Sequence, residues 1–136
     1  MEEKHKKAMK DLIGITDEDL NKLSPGVQKL VSRAEEIDNW KIIFECTSSK
    51  YCSVGIKVGD KFVFEGNVLI PEESTAPLCI SALCPCRGRI YTIWERIAER
   101  LDPNGLCLAY TQCGDTGVEY GGTGRVTFKI YCERIK

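Results

Sequence analysis

Leu78-Cys-Ile-Ser-Ala-Leu-Cys-Pro-Cys-Arg-Gly-Arg-Ile-Tyr-Thr-Ile-Trp-Glu-Arg-Ile-Ala-Glu-Arg-Leu101 is the longest helical stretch of the chain, and what flanks it decides the fold. Cys79, Leu83, Cys86, Ile90, Ile93, Trp94, Ile97 and Leu101 advance in three- and four-residue steps, which sets them along one helical stripe. Pro85 has no N–H for the helical ladder, so the helix is expected to kink or split near Leu83. Asp102-Pro-Asn-Gly105 stops it.

On both sides the apolar period falls to two. Upstream, Trp40, Ile42, Phe44 and Cys46 alternate with Lys41, Ile43 and Glu45, the pattern of a half-buried strand, and Thr47 to Lys50 reads as a turn or loop. Ile56 to Phe64 follows, with a tight turn at Gly59-Asp60 and with Phe62 and Phe64 on one face. Downstream, Leu106 to Cys113 reads as a strand and Gly114 to Gly124 as a flexible Gly-rich connector. Arg125 to Ile135 is a last alternating strand, with Val126, Phe128, Ile130 and Cys132 on one side.

Residues 1–37 are polar and read as short helices. Thr16-Asp-Glu-Asp19 has a capping-box layout, and Ser24-Pro25 places an N-cap hydroxyl before a Pro suited to the first helical position. Helices this short are marginal alone, so they are expected to dock on the rest of the chain or on a partner. The order of elements predicts an α+β fold: a small, mostly antiparallel sheet packed by one long Pro-kinked helix. Residues 1–37 form an N-terminal helical extension and 38–136 a Cys-rich α+β domain.

The formal net charge is −1, which excludes the strong positive field of a nucleic-acid or anionic-membrane binder. Arg87, Arg89, Arg96 and Arg100 cluster, but Glu95 and Glu99 interleave with them, as on a solvated helix face. No apolar run approaches the roughly 20 residues a transmembrane helix needs. The charged N-terminus does not read as a secretory signal. A cytoplasmic setting is therefore expected, in which thiols stay reduced.

Eight cysteines in 136 residues need an explanation under those conditions. Cys46, Cys107 and Cys132 lie in strand patterns and read as small buried apolar residues. Cys52 and Cys113 adjoin turn residues. Cys79 falls near a helix start, where unpaired N–H groups favour a thiolate. Cys84-Pro-Cys86 is the one tight pair, and its spacing is neither that of a zinc knuckle nor that of a thioredoxin-type motif. A soft-ligand site can still be assembled from distant segments, drawing on Cys52, Cys79, Cys113 and one of Cys84 or Cys86. Zinc or an iron–sulfur cluster would suit it; free thiols with no cofactor are the alternative. The one histidine, His5, lies in the polar N-terminus, which weighs against Cys-His and Ser-His-Asp mechanisms.

The run Cys52-Ser-Val-Gly-Ile-Lys-Val-Gly-Asp60, then Leu78-Cys79 with Ala82-Leu83, then Cys113-Gly-Asp and Glu133-Arg-Ile, resembles a family of short uncharacterised Cys-containing proteins. These occur mainly in anaerobic bacteria and archaea, and the resemblance spans about residues 39 to 135. It implies that Cys52, Cys79 and Cys113 are the cysteines of functional interest, in a setting where oxygen-sensitive thiolates or clusters survive. The family's usual His before the Lys-Val-Gly-Asp run is Ile56 here.

Three functional classes follow. The leading expectation is a small accessory protein or subunit of an anaerobic redox or one-carbon pathway, binding a cluster or zinc and working with a protein partner or as a homo-oligomer. The second is an enzyme with Cys79 as a thiolate nucleophile. The third is a cofactor-free interaction module.

Overall fold

The computed structural model describes all 136 residues. Strands β1 (Trp40–Lys50), β2 (Lys61–Glu65), β3 (Val68–Leu69), β4 (Tyr110–Gln112) and β5 (Arg125–Arg134) form one antiparallel sheet in the order β3-β2-β1-β5-β4. The helices are α1 (Glu3–Ile13), α2 (Asp17–Leu20), α3 (Pro25–Ser32), α4 (Ala34–Ile37) and the long α5 (Ile80–Ala98). The expected α+β architecture is the observed one.

Period-two patterning places the core. Ile42, Phe44 and Cys46 of β1, Phe62 and Phe64 of β2, and Val126, Phe128, Ile130 and Cys132 of β5 share one sheet face. They meet Ala82, Cys86, Ile90, Ile93 and Ile97 of α5. Phe44 packs edge-on against Phe64 with ring centroids 5.7 Å apart. Such a pair adds about 0.5–1.5 kcal/mol beyond burial.

The N-terminal helices dock on α5 through α3 and α4. Thr16 and Ser24 cap as expected, their hydroxyls accepting from the Asp19 and Val27 N–H groups, each at 3.2 Å. Ion pairs of Lys29 with Glu99 and of Glu36 with Arg134 join these helices to the rest of the chain. No helix is long and apolar enough to cross a membrane.

Three local expectations need correction. Thr47 to Lys50 is not a turn: β1 continues to Lys50 beyond a β-bulge between Cys46 and Ser48. The bulge shifts register by one, so Ser49 rather than Ser48 lies opposite the inward-facing Val126. Leu106 to Cys113 is strand only over Tyr110–Gln112, and Cys107 is exposed instead of buried. The expected turn at Gly59-Asp60 forms, with Asp60 buried and its carboxylate accepting the Lys57 N–H at 3.0 Å.

Finally, Pro85 does not split the long helix. The ladder bond that Pro85 cannot make would have ended on the Ser81 carbonyl. That carbonyl instead accepts the Gly114 N–H, at 3.1 Å, from the far side of the chain. A defect in the helix becomes a tether for a loop.

Candidate thiol site

That tether lies beside a cavity of about 90 Å³ at the start of α5. Three chain segments build it, and each contributes one cysteine. Cys52 comes from the loop after β1, Cys79 from the N-cap of α5, and Cys113 from the end of β4. All three are half-buried and unpaired by disulfides.

Local chemistry fixes each segment. The Ser49 hydroxyl donates to the Ile56 carbonyl at 2.5 Å, folding the Cys52 loop back on its own strand. Cys79 has extended backbone angles, and its carbonyl accepts the Leu83 N–H at 2.9 Å, the first turn of α5. Its side chain makes no capping bond to that turn. Cys113 pairs with Val126 in both directions: its N–H donates to the Val126 carbonyl at 3.0 Å, and its Sγ accepts the Val126 N–H at 3.3 Å.

The Gly-rich segment is not the loose connector its composition predicts. It closes around Asp115. The Asp115 Oδ1 accepts N–H groups from Gly117 at 2.9 Å and Thr123 at 3.0 Å. The Oδ2 takes the Thr123 hydroxyl at 2.7 Å and the Gly124 N–H at 3.2 Å. These donors hold the Asp115 carboxyl down at about 2, the Gly117 N–H having the largest effect.

Two of the glycines are there for want of space. A Cβ on Gly122 would collide with the Asp115 carboxylate, and one on Gly124 would collide with the Tyr51 carbonyl. Gly124 thus packs directly under the backbone that leads into Cys52. Composition alone hid this arrangement; the signal was an Asp shortly after Cys113, with a run of side-chain-free N–H groups following.

The remaining lining is uncharged: Ser53, Ser81 and Thr123 among apolar Val54, Ile56, Ala82 and Val126. Asp115 is the sole charged residue, and no Lys, Arg or His lines the cavity. His5 lines a separate cleft among the N-terminal helices.

The other two sequence candidates lie elsewhere. Cys86 faces the core, its Sγ–H donating to the Ala82 carbonyl at 3.3 Å, and burial pushes its thiol up to about 12. Cys84 is exposed and does not line the cavity. As the side chains stand, no group of three or more His, Cys, Asp or Glu residues is gathered to hold a metal ion.

No protein-family model, no curated protein and no solved structure matches this chain.

Proposed function

We propose that the protein is a small accessory protein that holds one soft, thiophilic ion through Cys52, Cys79 and Cys113. The observation that carries this is the convergence of three reduced cysteines, from segments 27 and 34 residues apart, on one cavity (79 − 52 and 113 − 79). Soft thiolates select soft ions. Ligation would require the three sulfurs to draw closer than they stand, since no such group is gathered in the structure.

The size of the cavity favours a single soft ion over a cluster. Its 90 Å³ is smaller than the roughly 150 Å³ apolar cavity that admits a benzene ring, so a four-iron cluster would require widening. The experiment is anaerobic incubation with zinc(II), cobalt(II), or iron and sulfide, followed by metal analysis and visible spectroscopy. About one equivalent should be held, lost in Cys52→Ser, Cys79→Ser and Cys113→Ser and kept in Cys132→Ser. Equal retention in all four variants overturns the assignment.

A second reading, Cys79 as a nucleophile, has one observation in its favour. Cys79 stands at the N-cap of the longest helix with its side chain unengaged, where the free first-turn N–H groups favour negative charge. One cysteine alkylated far faster than Cys52 and Cys113, and identified as Cys79, would support it.

A further inference from the structure

We propose that the ion this site is built for is trivalent and three-coordinate, an arsenite-type thiophile, which takes three sulfurs and no fourth protein ligand. The inference deepens the soft-ion reading above and rests on it.

The donor count comes first. Four-coordinate zinc in a structural site needs four protein ligands. Every candidate for the fourth place is already committed or distant. Asp115 Oδ1 accepts two hydrogen bonds and Oδ2 three, leaving the carboxylate occupied as the hub of its loop. Cys86 is turned into the core, where its Sγ–H is bonded to the Ala82 carbonyl, and Cys84 does not line the cavity. Cys46 is buried in β1 with its Sγ–H toward the Ser48 carbonyl. His5 lines another cleft. Cys52, Cys79 and Cys113 are the thiols the fold brings to this cavity.

Charge comes second. Three thiolates around a divalent ion leave a net charge of −1 at the centre, and no cationic side chain lines the cavity to offset it. Around a trivalent ion the same three thiolates sum to zero. A neutral centre in a small, partly apolar cavity avoids the cost of an uncompensated charge. The lone pair of a trivalent metalloid fills the place a fourth ligand would take, so three-fold coordination is its complete shell.

The reaction balances without a redox step. Arsenous acid, As(OH)3, exchanges three As–O bonds for three As–S bonds. Each thiol proton leaves with one hydroxyl, and three waters are released. Arsenic remains trivalent throughout.

The test uses the full-length, reduced protein under anaerobic conditions, with sodium arsenite as the probe and zinc(II) as the competitor. Native mass spectrometry should show one arsenic gained with three protons lost. Alkylation mapping of the unsubstituted protein should show Cys52, Cys79 and Cys113 protected together and Cys84 and Cys107 unprotected, with no variant required. Each of Cys52→Ser, Cys79→Ser and Cys113→Ser should lose the third sulfur from the adduct, and excess zinc should not displace arsenic from the unsubstituted chain. Zinc held by these cysteines with Cys84 or Cys86 as a fourth ligand, or zinc displacing arsenite, overturns this inference and leaves the soft-ion site standing. Uptake of neither ion overturns both.

Discussion

The Gly114 N–H donates to the Ser81 carbonyl at 3.1 Å, across a gap of 33 residues in the chain (114 − 81). The acceptor is free because residue 85 is proline. One residue with no N–H thereby couples the first turn of α5, which carries Cys79, to the loop that carries Cys113.

Replacing that proline tests the coupling. Pro85→Ala restores an N–H that competes for the Ser81 carbonyl and removes a helix breaker. We expect the protein to gain about 1–3 kcal/mol in denaturant unfolding. At the same time the Gly114 amide should exchange faster with solvent. Unchanged exchange at Gly114 would mean the tether does not depend on the proline.

The glycines separate into two kinds. Gly88 lies inside α5, and a Cβ placed on it would meet nothing within 4 Å, so Gly88→Ala should stabilise by about 0.5–1 kcal/mol. Gly124→Ala would press a methyl group against the Tyr51 carbonyl and should cost about 1–3 kcal/mol. Thermal unfolding of the two variants should move in opposite directions. A neutral Gly124→Ala would show that the loop does not pack beneath the Cys52 segment.

Asp115 supplies a pH signature. Its carboxyl is lowered from 3.8 to about 2 in the folded chain, so folding favours the ionised form. The stability it contributes is complete above the unfolded value and is lost as pH falls through about 2. The stability difference between the native chain and Asp115→Asn should therefore shrink between about pH 4 and pH 2. Carbon-detected NMR titration should put the Asp115 midpoint near 2; a midpoint near 4 would mean the loop is open in solution.

Alkylation kinetics should sort the thiols into three groups. Exposed Cys84 and Cys107 should react first, half-buried Cys52, Cys79 and Cys113 next, and buried Cys46, Cys86 and Cys132 last. Burial pushes Cys86 and Cys132 up to about 12, so few thiolates form there even in mild alkali. Mass-spectrometric mapping of iodoacetamide adducts against time reads the order. Early labelling of Cys86 would contradict its place in the core.

Much of the fold was legible because alternation and helical stepping are local signals of burial. Phe44, Phe62, Phe128 and Ile93 announced their faces, and all are fully buried. What escaped depends on non-local pairing. The bulge after Cys46 is visible only against the register of β5. Cys107 follows a strand-like pattern, yet β4 pairs with β5 only from Tyr110 onward. At the site, turn chemistry and a helix start pointed to Cys52, Cys79 and Cys113. Asp115 and its ring of donors were not foreseen, since a Gly-rich segment reads the same whether it wraps a carboxylate or not. Cys84 and Cys86 looked eligible through nearness in sequence, but the helical turn aims them away from the cavity.

The pairing of β1 with β5 also has a bearing on how the pocket matures. These strands lie at opposite ends of the Cys-rich region, and most of the sheet's long-distance registry runs between them. Until the last strand zips against the first, the sulfur on the β1 side has no neighbours to act with. A chain interrupted before residue 125 would keep the three thiols but lack Val126, which lines the cavity and holds Cys113 in place. The cavity is therefore a property of the finished topology, and its assembly carries the cost of closing the long loop between these two strands.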